Sequence, residues 1–247
     1  DPTVPPVIRN PIGEEMSLMQ PSVLPRLLEQ AEENLRYTDG NLQTFTIADV
    51  FQGENEYSEM GLLITNRAED DMKQLPFLSL RSSLDASFAA AGFSLSVEAS
   101  TSSSEYQHPG RTASLLVGKE VIGSLFELHP DVCMRFDLPK RTSAALFNVT
   151  TLFAQASTEK TYMALPQFPA VSYDETIPFS HDKKVAELLT KIQSSSDLLE
   201  SVEVANLYAP KDEKQYNLTL RFVYRAAGRT LTEEEAKREH EKVQSLL

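Results

Sequence analysis

Leu218-Thr219-Leu220-Arg221-Phe222-Val223-Tyr224-Arg225 alternates strictly, with Leu218, Leu220, Phe222 and Tyr224 on one face and Thr219, Arg221, Val223 and Arg225 on the other. A period of two belongs to a strand, and four large apolar groups on one side predict that this side is buried. Downstream, Thr232 and Glu235 have the spacing of a capping box, which starts a helix bearing Ala236, Val243 and Leu246. Upstream, Val202–Tyr208 reads as another strand. Asp182–Ser195 reads as a helix with Val185, Leu188, Leu189 and Ile192 on one side and Ser180 as its cap. Ala170–Ile177 is a further strand. The order β-α-β-β-α is a ferredoxin-like βαββαβ unit without its last strand, an arrangement that should expose one side of the first strand and the underside of the last helix.

The preceding residues have a different rhythm. Val23, Leu24, Leu27, Leu28, Ala31 and Leu35 recur at helical spacing, which predicts a helix over about 22–36, since Pro21 and Pro25 are tolerated at or before a first turn. Val7-Ile8 reads as a short strand. Asp39-Gly40-Asn41 is a turn before a strand at Leu42–Phe51, and Met60–Thr65 is another. A helix is expected over Ser82–Ala91, stopped by Gly92, followed by a polar loop at Ala99–Glu105. Ala113–Val117 and Val121–Leu128, joined by Gly118-Lys119-Glu120, form a hairpin, and Asn148–Phe153 reads as a strand. Strands joined by short turns imply an antiparallel sheet with flanking helices. The polar stretch 156–167 is the expected boundary, giving domains at 1–160 and 165–247 and an α+β fold class.

Composition excludes several functions. No apolar run approaches the ~20 residues that cross a bilayer, so no membrane partner is expected. The single Cys133 cannot form an intrachain disulfide, which fits a cytoplasmic location. Asn148-Val149-Thr150 and Asn217-Leu218-Thr219 match the glycosylation triplet but lie inside apolar alternation, where the match reads as chance. Net charge is −13, which argues against binding nucleic acid by charge alone. From Phe168 onward 11 Lys and Arg face 14 Asp and Glu, so the last third is nearly neutral and residues 1–167 carry −10. Any RNA contact is therefore expected among the C-terminal basic residues.

Catalytic motifs are lacking. His108-Pro109 and His129-Pro130 have no carboxylate or cysteine cluster at metal-ligand spacing, and His181 and His240 are expected to be exposed helix residues. The nine glycines make no phosphate-binding loop, and no nucleophile–base pair is visible. Arg221 and Arg225 share a strand face near Tyr208, a combination that offers charge and a stacking surface to a single-stranded RNA loop. The competing reading is a solvated face whose arginines pair with neighbouring glutamates.

Several segments in order resemble one family. Asn10-Pro11-Ile12-Gly13-Glu14-Glu15-Met16 with Ser22-Val23-Leu24-Pro25-Arg26, Phe45–Phe51, His108-Pro109-Gly110-Arg111-Thr112-Ala113 and Gly123–Pro130 resemble the catalytic-like module of the bacterial-type phenylalanyl-tRNA synthetase β subunit. Phe168–Asp174, Val202–Tyr208 and Arg229–Glu235 resemble its ferredoxin-fold anticodon-binding domain. The resemblance implies a class II synthetase-like antiparallel sheet module followed by the ferredoxin-like domain. It further implies a hetero-oligomer in which a catalytic α subunit uses ATP and Mg²⁺ to activate phenylalanine and charge tRNA(Phe). This chain would contribute no catalytic, cofactor or metal residue, and would be part of a longer chain. Carried over by position, Asn206, Tyr208 and Asn217 face the anticodon; Arg221 and Arg225 join them as candidates because they share a strand face near Tyr208. Asn206 stands where the family usually has aspartate: an acceptor is kept, a donor gained and a charge lost. The alternative function is a protein–protein module without RNA contact, using an open sheet edge.

Overall fold

A computed structural model describes residues 5–38, 41–66, 75–102, 104–156, 165–180, 183–208 and 215–247. The chain forms two compact units, Asp1–Lys160 and Thr161–Leu247.

The first unit is built on six strands: β1 (Leu42–Gln52), β2 (Asn55–Thr65), β3 (Leu95–Ser100), β4 (Gln107–Val117), β5 (Glu120–Leu128) and β6 (Ser143–Asn148). All neighbours are antiparallel, in the order β1-β2-β6-β5-β4-β3. Helices α1 (Leu24–Leu35) and α2 (Pro76–Ala90) cover opposite faces. Leu63, Phe126 and Ala144 join the Leu24, Leu27, Leu28 and Ala31 stripe, whereas Ile64, Leu125 and Ala145 join Leu80, Leu84 and Phe88. Successive strand residues point to opposite faces, so a strand covered on both must be apolar at consecutive positions. Ala144-Ala145-Leu146-Phe147 has that character.

Some sequence expectations need correction. Asn148–Phe153 is not a strand: β6 ends at Asn148, whose Oδ1 accepts the Thr151 N–H at 2.8 Å and caps α4 (Val149–Ala154). Three β-branched residues signal extended chain, but the cap satisfies a helix-end donor and decides the local structure. Ala99 and Ser100 belong to β3, paired with Ala113 and Thr112, rather than to a loop. Val7 makes only an isolated bridge with Leu18, and the expected turn at Asp39-Gly40 lies outside the described residues. Pro130–Arg135 forms α3, which alternation did not indicate.

The second unit contains β7 (Val171–Ser180), α5 (Val185–Gln193), β8 (Leu199–Tyr208), β9 (Gln215–Tyr224) and α6 (Glu233–Gln244). Its antiparallel sheet runs β7-β9-β8. Leu218, Leu220, Phe222 and Tyr224 point from β9 into one core with Ile192 of α5 and Val243 of α6, so both helices cover the same face. The capping box forms: Thr232 Oγ1 accepts the Glu235 N–H at 3.3 Å, and Glu235 Oε2 accepts the Thr232 N–H at 3.1 Å. Ser180 is not a cap; it closes β7, Lys184 occupies the N-cap position of α5, and His181 lies outside the described residues. His240 is buried rather than exposed, because it falls on the Ala236–Val243 side of α6 that packs on the sheet.

Two register shifts shape β8. Ser201 opposes Val223 although Leu199 opposes Tyr224, and Asn206 opposes Thr219 although Val204 opposes Leu220. Glu200 and Ala205 are therefore extra residues without a cross-strand partner, as in β-bulges.

Candidate nucleic-acid interface

The face of the second sheet turned away from α5 and α6 is assembled by register. Asp174 and Glu203 flank Arg221, Thr176 and Asn206 flank Thr219, and Pro178 and Tyr208 flank Asn217. Four of the five expected site residues, Asn206, Tyr208, Asn217 and Arg221, thus share one continuous surface. Arg225 follows just beyond the end of β9. Tyr208 is 59% exposed, and both asparagines are exposed. Within the described residues no hydrogen bond occupies the side chains of Asn206, Tyr208 or Asn217, so two amides and a phenol present free donors and acceptors.

The arginines are committed differently. Arg221 donates from Nε and Nη2 to the two oxygens of Asp174 at 2.8 and 2.7 Å, a bidentate pair across β7 and β9. That hydrogen-bonded guanidinium holds the Asp174 carboxyl below its usual range. Glu203 adds a second negative charge on the other side. Arg225 donates from Nε to Glu200 at 2.9 Å and from Nη1 to the Phe168 carbonyl. The bulge at Glu200 brings that carboxylate to Arg225. Thr176 and Thr219 share a hydroxyl–hydroxyl hydrogen bond of 2.8 Å in the middle of the face. The sequence placed Thr219 on this face and offered pairing of the arginines with neighbouring glutamates as the competing reading; which acids they are, and the partnership with Thr176, follow only from pairing register. The surface is polar and nearly charge-balanced, suited to stacking and hydrogen bonding with bases rather than to gripping phosphates.

Residues that a catalytic reading would use have local structural roles. His108 Nδ1 accepts the Gly110 N–H at 3.1 Å, and His129 Nδ1 accepts the Asp131 N–H at 3.2 Å to start α3. In both, a proline separates the accepting imidazole from the N–H two positions on. Cys133 is buried, which pushes its thiol up to about 11, away from the thiolate form a nucleophile needs. Among the described residues no three His, Cys, Asp or Glu side chains are grouped to hold a metal, and no helix is long and apolar enough to cross a membrane.

Comparison with known proteins agrees with this division of the chain. Residues 4–149 match the family model described as the phenylalanyl tRNA synthetase beta chain CLM domain, and residues 166–247 match the ferredoxin-fold anticodon binding domain. The phenylalanine–tRNA ligase beta subunit of Clostridium tetani is 31% identical over 244 residues, covering 96% of this chain and 30% of that protein. That of Syntrophus aciditrophicus is 28% identical over 252 residues, covering 96% of this chain and 31% of its own length. The chain therefore spans under a third of the length of these relatives. A pyrrolysyl-tRNA synthetase from Desulfitobacterium hafniense aligns at TM-score 0.45 and 17% identity, over 58% of this chain and 51% of its own. Because the β-chain module alone accounts for more than half of the residues, with the anticodon-binding fold following it, the chain belongs to the phenylalanyl-tRNA synthetase β-chain family.

Proposed function

We propose that this chain is the structural and tRNA-contacting portion of a phenylalanine–tRNA ligase β subunit, supporting a catalytic α subunit and meeting the anticodon region of tRNA(Phe) with the helix-free face of its second sheet. The observation that carries the reading is the face itself: Asn206, Tyr208 and Asn217 stand exposed, their side chains without a hydrogen bond among the described residues, in a domain whose family match is an anticodon-binding fold. Tyr208 supplies a stacking platform for an unpaired base, while Asn206 and Asn217 address base edges with both donors and acceptors. Arg221 and Arg225 hold the sheet through Asp174 and Glu200, and add only weak attraction for phosphate. The bond-making step belongs to the α subunit, which takes ATP and Mg²⁺ in the assembled, cytoplasmic hetero-oligomer.

The test is binding of the tRNA(Phe) anticodon stem-loop to the 247-residue chain, followed by fluorescence anisotropy. Loss of one stacking contact in Tyr208→Ala should cost about 1–3 kcal/mol, or roughly 5- to 150-fold in affinity. Asn206→Ala should weaken binding less, and Arg221→Ala less still, with a shallow dependence on salt. Wild-type affinity in both Tyr208→Ala and Asn206→Ala would remove the anticodon assignment.

A further inference from the structure

Among the described histidines His240 alone is buried, and the proposed RNA-contacting face does not use it. It projects from α6 into an aromatic box. Its ring stacks on Tyr173 of β7 at 4.6 Å between centroids and 12° between planes, and meets Phe222 and Tyr224 of β9 edge-on at 5.0 and 5.8 Å. Nδ1 lies 3.1 Å from the Tyr224 hydroxyl. Nε2 lies 3.4 Å from Glu175 Oε2, a buried oxygen with no well-aligned hydrogen bond, whereas Oε1 accepts from Gln244 Nε2 at 2.9 Å. The titratable groups around the ring are Tyr173 and Glu175 from β7, Tyr224 from β9 and Glu239 from α6 itself; Glu239 is engaged by Ser196 and Lys242. The neighbouring α5 contributes apolar Leu188, Leu189 and Ile192 to this core.

We propose that His240 and Glu175 form a proton-sensitive clamp holding α6 against the sheet, closed while the imidazole is neutral and loosened when acid charges it. In the neutral ring Nδ1 accepts from the Tyr224 hydroxyl, while Nε2–H faces the Glu175 oxygen without a well-aligned hydrogen bond. Charging Nδ1 forces the Tyr224 hydroxyl to turn from donor to acceptor and places a cation in a largely buried site. Glu175 opposes that penalty, but its near oxygen is poorly aligned with Nε2–H. Burial accordingly holds the His240 pKa below its ordinary value of 6.5, with the pull of Glu175 the smaller effect. A base whose folded-state pKa is depressed takes up fewer protons folded than unfolded, so stability falls as pH drops through the unfolded value. The loss is bounded at about tenfold in the folding constant per pH unit.

The test follows the His240 Cε1–H resonance by NMR across pH in the 247-residue chain, beside urea unfolding at about pH 7.5 and about pH 5.5, values that bracket free imidazole. The His240 midpoint should lie below that of free imidazole and fall further in Glu175→Gln. The second unit should lose urea resistance at the lower pH, and His240→Phe should lose less. A midpoint at or above free imidazole, or one unmoved by Glu175→Gln, overturns the clamp; so does an equal pH dependence in His240→Phe. Should His240→Phe fail to fold, the titrations of wild type and Glu175→Gln decide alone.

Discussion

Replacing Glu127 with glutamine keeps the shape of a side chain that is 3% exposed and removes its charge. The carboxylate sits on β5 between two guanidinium groups. Arg111 of β4 donates from Nη1 at 2.7 Å, and Arg141 donates from Nη2 at 2.8 Å and from Nε at 3.1 Å to both oxygens. Glutamine leaves one acceptor and turns an NH₂ toward groups that only donate. Breaking a buried ion pair costs about 3–5 kcal/mol. Here Arg111 is 46% and Arg141 28% exposed, so both can recover some hydration. The expected loss is therefore at the low end, about 3 kcal/mol. With a urea m-value of about 2 kcal/mol/M, the midpoint of the first unit should fall by about 1.5 M, followed by far-UV circular dichroism. Glu29→Gln, which breaks an exposed pair with Arg26, serves as the control and should cost at most about 0.5 kcal/mol. A Glu127→Gln loss no larger than that control would refute the reasoning.

Gly123→Ala should abolish cooperative unfolding of the first unit, because the new methyl would lie 2.0 Å from the Leu146 carbonyl oxygen and 2.6 Å from Phe147 Cα, forcing β5 and β6 apart. Gly118→Ala, at φ +63° with open space around it, should cost only about 1–2 kcal/mol in the same assay. Asn148→Ala removes the α4 cap and should lower stability by about 1 kcal/mol, with Asn148→Asp restoring most of it by urea titration. Glu235 is held down to about 2 by the Arg229 guanidinium, helped by the Thr232 backbone N–H. Its stabilising effect is complete above the ordinary value of 4.5 and disappears as pH falls from there to about 2. Acid titration of α6 by circular dichroism should show that loss, and Arg229→Ala should flatten it.

What the sequence disclosed followed from chemistry written in adjacent positions. Strand β9 was legible because its alternation is unbroken, α1 because its apolar stripe repeats at helical spacing, and α6 because Thr232 and Glu235 are a local reciprocal cap. Asn206, Tyr208 and Asn217 were indicated by family resemblance and Arg221 by the alternation of β9; strand register brings the four onto one surface. Other features depended on partners distant in sequence. The turn at Asn148 was hidden because Val149-Thr150-Thr151 favours extended chain until the cap bond is known. His240 looked exposed in a run of charged residues, and only the placement of β7 and β9 supplies the aromatic walls that bury it. The arginines' fate was likewise set across strands, since Asp174 precedes Arg221 by 47 positions.

The unpaired Ala205 carries a consequence out of proportion to its size. Glu203 lies on the helix-free side, so simple alternation would next send residues 205 and 207 to that side and turn Asn206 and Tyr208 toward the core. One supernumerary residue reverses this parity, bringing the amide and the ring outward and Leu207 inward opposite Leu218. The chemistry of this face is thus written partly in a bulge: were Ala205 to pair with Thr219 in its turn, Leu207 would face outward opposite Asn217, whereas deleting Ala205 would close the ladder and keep Asn206 and Tyr208 on their present side.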